Sequence, residues 1–102
     1  MVDAAGVLEE VWRSDAAGMR AVLARRLGDL DRAEEALQDA VGEALRRWPA
    51  EGVPERPAGW LVTTAWRKAL DVLRREETGR AKTLLLDPPA ARQAASVRPE
   101  QS

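Results

Sequence analysis

The 102-residue chain contains no cysteine and no histidine. Those two absences exclude disulfides, zinc sites built on thiolate or imidazole, thiol nucleophiles and every catalytic triad that needs a histidine base. Phenylalanine and tyrosine are missing as well, so the aromatic content is four tryptophans. Apolar runs extend only a few residues, far short of the roughly 20 that cross a bilayer. No basic start followed by an apolar core marks a secretory leader. The expectation is a cytoplasmic protein with no membrane partner.

What remains is 45% hydrophobic, mostly Ala, Leu and Val, and 32% charged, which suits one small folded domain with a modest core. The net charge of -1 hides a segregation. Residues 29–43 carry six acids (Asp29, Asp31, Glu34, Glu35, Asp39, Glu43) against Arg32, a net of -5. Residues 56–82 carry seven bases (Arg56, Arg67, Lys68, Arg74, Arg75, Arg80, Lys82) against Asp71, Glu76 and Glu77, a net of +4. Two such elements either attract each other or face two different partners.

Periodicity is helical throughout, and no segment alternates as a half-buried strand does. An all-α bundle of three to four helices follows. The first helix covers about residues 3–13, with Val7, Leu8, Val11 and Trp12 on one stripe. Ser14 or Asp15 caps a second that turns Met19, Val22, Leu23 and Leu27 inward, unless the two form one bent helix; Gly28 ends it. The next begins on an Asp31/Glu34 capping box. It buries Ala33, Ala36, Leu37, Ala40, Val41, Ala44, Leu45 and Trp48, and Pro49 stops it. Residues 49–57 hold three prolines and a glycine and read as a loop. A last helix over about 57–77, with Pro57 in its first turn, buries Leu61, Val62, Ala65, Ala69, Val72 and Leu73, and Gly79 ends it. The domain is placed at residues 1–82. Residues 83–102 read as a linker or tail, disordered from 87 onward.

Two polar faces stand out. Glu35, Gln38, Asp39 and Glu43 form a mainly acidic stripe opposite the Ala/Leu face, with Gly42 inside it. A mid-helix glycine costs about 1 kcal/mol against alanine, which a merely solvated face does not need but a docked partner helix could use. On the last helix Trp60, Thr63, Thr64, Arg67, Asp71 and Arg74 share a side, with Lys68 and Arg75 beside it. Bases interleaved with an aromatic suit phosphate contacts and stacking on unpaired bases. No carboxylate sits in an evident cleft beside a second catalytic group, and neither a phosphate-cradling loop nor a metal spacing occurs. No enzymatic activity and no cofactor are expected.

The run Ala33-Glu34-Glu35-Ala36-Leu37-Gln38-Asp39-Ala40-Val41, with Ala44 and Arg46-Arg47-Trp48, resembles the second conserved region of extracytoplasmic-function (ECF) sigma factors. Gly28-Asp29 ahead of it fits the same pattern. Trp60-Leu61, Ala65, Ala69-Leu70-Asp71 and Leu73-Arg74-Arg75 resemble that family's promoter-melting helix. The match covers residues 7–82, two motifs in the right order.

The resemblance implies a helical transcription-initiation domain whose acidic helix docks on the β′ coiled coil of RNA polymerase. That puts Glu35, Gln38, Asp39 and Gly42 at the contact. The last helix and its preceding loop would face the non-template strand of the promoter −10 element through Glu51, Arg56, Trp60, Thr64, Arg67, Lys68, Arg74 and Arg75. Trp12 and Trp48 belong to the core, whereas Trp60 stays at least partly exposed. The alternative is a sigma-like interaction module that binds polymerase or an anti-sigma factor without productive DNA recognition. Trp66-Arg67 stands where the family commonly has Arg-Asn, and Val72 where it is basic or polar, so base specificity does not carry over. The helix-turn-helix domain that reads the −35 element does not follow in this sequence, which reads either as an excised domain or as a natural truncation.

Overall fold

A computed structural model describes residues 3–86, and side chains as far as Gly79. Three helices and no strand occur among the described residues: α1 (Ala4–Leu27), α2 (Leu30–Glu51) and α3 (Pro57–Leu86). The chain divides after Leu70 into two compact units, so the first part of α3 packs with α1 and α2 and its remainder belongs to the second unit.

The first two expected helices are one. Ser14 does not cap a new helix: its hydroxyl donates to the Glu10 carbonyl at 3.0 Å, which absorbs the polar group without breaking the chain. Gly18 stays inside α1. The true break is Gly28, left-handed at φ 69°, whose N–H donates to the Ala24 carbonyl. A side chain there would be strained.

α2 starts two residues earlier than the capping-box pattern indicates. Asp29 is the N-cap, in extended backbone, and its Oδ1 accepts the Arg32 N–H at 3.1 Å. Pro49 does not stop the helix. It removes one N–H at the exposed end, where water can serve the carbonyl left over, and α2 runs on to Glu51. Gly52, at φ 97°, closes it with its N–H on the Trp48 carbonyl at 2.8 Å. Pro57 opens α3 as expected, and the Trp60 N–H reaches back to the Arg56 carbonyl at 3.0 Å. Gly79 does not end α3, which continues to Leu86. The expected disordered segment 87–102 lies outside the described residues.

The core of the first unit joins Ala4, Leu8, Met19 and Leu23 of α1 to Ala33, Ala36, Leu37, Ala40, Ala44 and Trp48 of α2, and to Leu61, Ala65 and Ala69 of α3. Four alanines along α2 allow close helix approach, so the volume is filled by Leu23, Leu37 and Leu61, the largest fully buried side chains. Each such leucine stabilises by about 2 kcal/mol. One inward assignment fails: Leu45 is 50% exposed. Trp12 is half-buried against the core, with the Arg20 guanidinium 5.8 Å from its ring centroid.

Candidate functional site

On α2 the residues Glu35, Gln38 and Asp39 are exposed, and their side chains make no ion pair or hydrogen bond among the described residues. Gly42 continues their stripe. Its φ is not positive, and a Cβ built on it would meet only Arg46 Nη1, at 3.7 Å. Nothing inside the fold requires glycine there. An apolar groove of about 370 Å³ opens beside the stripe, lined by Ala5, Leu8, Glu9 and Trp12 of α1 and by Gln38 and Val41 of α2.

Glu43 departs from the stripe. Eight residues at 3.6 per turn leave it about 80° around the helix from Glu35, on the flank facing α3. Its carboxylate receives Lys68 Nζ at 2.7 Å and Arg47 Nη1 at 2.8 Å, with Arg67 Nη2 at 3.8 Å. The hydrogen bond from Lys68, then that from Arg47, holds the Glu43 carboxyl down at about 2, because both favour the ionised form. The side chain of Glu43 is 16% exposed, against 27% for Lys68 and 57% for Arg67.

Arg47 is the hub that sequence reasoning passed over. Its guanidinium also clamps Glu51, with Nη2 3.0 Å from Oε1 and Nε 3.1 Å from Oε2, a forked geometry that suits carboxylate. Glu51 first, then Glu43, raises the Arg47 pKa. The same group lies 5.7 Å from the Trp60 ring centroid. The 43/47/51 spacing, one turn per step, was the available signal.

Trp60 is half-buried and meets Trp48 edge to face, centroids 5.3 Å apart at 68°. Trp48 is 3% exposed, as expected of a core anchor, although its buried indole N–H has no acceptor among the described residues. Thr64 corrects the expected DNA face: it is 2% exposed, so its hydroxyl is not available to a strand. Arg56 and Arg67 are exposed, and Lys68 is half-buried. Trp66 is half-buried under the Arg26 guanidinium, 5.7 Å away. In the second unit Arg74 and Arg75 are exposed, and Arg74 Nη2 pairs with Asp71 Oδ1 at 2.9 Å. Among the described residues no cluster of acids could hold a metal ion, and no helix is long and apolar enough to cross a membrane.

Residues 12–78 match the Sigma-70 region 2 family. The chain belongs to that family. The ordered region-2 match covers α2 whole and most of α3, the two elements that carry the stripe and the hub. An uncharacterised protein of Rhizobium meliloti (strain 1021) is 43% identical over 54 residues, which is 53% of this chain and 13% of that relative's length. No solved structure matches.

Proposed function

We propose that this region-2 domain binds RNA polymerase core through the α2 stripe of Glu35, Gln38, Asp39 and Gly42, with the basic side of the β′ coiled coil as partner. Residues of α3 and the loop before it then address the non-template strand of the −10 element. The observation that carries the reading is the stripe itself: exposed acids without side-chain partners among the described residues, continued by a glycine the fold does not use. Charge complementarity would set the register and speed of docking there, and the adjoining groove offers apolar area to the same partner. On the DNA side the first unit offers Arg56, Trp60, Arg67 and Lys68, with Glu51 held at the end of α2 by Arg47; Arg74 and Arg75 are the candidate contacts of the second unit, and the buried Thr64 is not a contact.

Asp39→Arg tests the polymerase face. It should abolish capture of polymerase core while the helical circular dichroism stays that of the unaltered chain. Retained capture would mean that another face docks. A second reading, binding to polymerase or to an anti-sigma factor without productive DNA recognition, is favoured by the Glu43 pairs, which already neutralise charge on Arg67 and Lys68.

A further inference from the structure

The proposed DNA face contains its own anion. Glu43 reaches across from α2 and meets three cations: Lys68 at 2.7 Å, Arg47 at 2.8 Å and Arg67 at 3.8 Å. Arg47 is also held by Glu51 at 3.0 Å, so the charge that Glu43 neutralises falls on Lys68 and Arg67. Those two are the α3 cations of this unit that a strand would reach. A phosphate oxygen and a carboxylate oxygen ask the same thing of an ammonium or guanidinium, and only one of them can have the short contact.

We propose that Glu43 is an internal competitor for nucleic-acid phosphate, holding Lys68 and Arg67 partly neutralised so that the free domain grips a single strand weakly. The inference rests on the DNA reading above. Its physical content is a count of charges. Affinity for a single strand falls with salt by a slope of about 0.7 per neutralised phosphate. When a paired cation changes partner, the counterion that the phosphate releases is offset by the one that the abandoned carboxylate takes up. Removing the one negative charge of Glu43 therefore adds one effective phosphate contact, worth about fivefold in affinity at 0.1 M salt on that slope.

Glu43→Gln is the discriminating change, because the amide keeps the shape and can still accept from Lys68 or Arg47. Binding of a fluorescent single-stranded oligonucleotide should tighten about fivefold at 0.1 M salt, with the log–log salt slope steeper by about 0.7. A companion E43Q/K68Q variant asks whether the released cation is what holds the strand: adding K68Q to E43Q should give back about the fivefold gain. If the unaltered chain binds and E43Q binds equally or more weakly, Glu43 positions the cations instead of competing for them, and the proposal falls alone. If K68Q costs nothing in the E43Q background, the released cation is not what holds the phosphate, and the proposal is overturned as well. If neither the unaltered chain nor E43Q binds the strand at any salt concentration, the DNA reading fails and takes the proposal with it.

Discussion

At the scale of single residues the two neighbouring tryptophans have separable tasks. Trp48 fills the core end of α2, and truncating a buried Trp to Ala costs about 3–5 kcal/mol. Trp60 is half-buried, and its edge-to-face partnership with Trp48 is worth about 0.5–1.5 kcal/mol beyond area burial. Trp60→Ala should therefore melt at a lower temperature than the unaltered chain but well above Trp48→Ala. It should also lose about 1–3 kcal/mol of single-strand affinity if a base stacks on it. Parallel thermal melts and oligonucleotide titrations on the two variants check both parts, and full retention of affinity in Trp60→Ala would remove the stacking role. The exposed stripe was legible from residue type and spacing alone. Glu43 was not, because a step of eight was counted as one face although it swings the side chain toward α3. Thr64 was misplaced for a related reason: a hydroxyl suggests surface, yet its position lies within about 60° of Leu61 around the helix.

Among the elements, α2 is the one shaped by something outside the unit. Gly42 sits in ordinary helical backbone with room for a methyl group, so Gly42→Ala should stabilise the free domain by about 1 kcal/mol. The same methyl should weaken polymerase capture, since it stands up on the docking stripe. Chemical denaturation set beside a capture titration reads both effects, and a stabilised variant with unchanged capture would show that the partner does not approach the helix at this point. The helix boundaries show which local signals prevail. Gly28 and Pro57 were legible because each acts through backbone geometry that no packing can supply. Ser14, Pro49 and Gly79 carry boundary signals that the structure overrides. A hydroxyl that bonds its own preceding turn, a glycine flanked by good helix formers and a proline in a last turn each cost little enough for the helix to continue. The Asp29 cap was hidden behind an equally plausible Asp31 two residues on.

At the scale of the molecule the missing histidines return as a property. No side chain here has an ordinary pKa between about 5 and 7, so stability should be flat across that interval. Glu43 changes this on the acid side. Its folded-state pKa, about 2, lies below the ordinary 4.5. Its contribution is therefore present above 4.5, where the unfolded carboxyl is also ionised, and is lost as pH falls from there through about 2. Denaturation curves taken from pH 7 downward should show the plateau and then a decline, and E43Q should remove part of that decline. An unchanged acid limb in E43Q would mean that the carboxylate is not held by Lys68 and Arg47 in solution.

The edge-to-face indoles have one more consequence, which belongs to optics. With no tyrosine or phenylalanine in the chain, its near-ultraviolet absorption comes from tryptophan. Two of those chromophores sit 5.3 Å apart at 68°, close enough for their electronic transitions to mix and to split into a pair of circular dichroism bands of opposite sign. The domain thus carries an intrinsic reporter of whether the end of α2 and the start of α3 are together. A base that draws Trp60 away from Trp48 would extinguish the signal without any added dye.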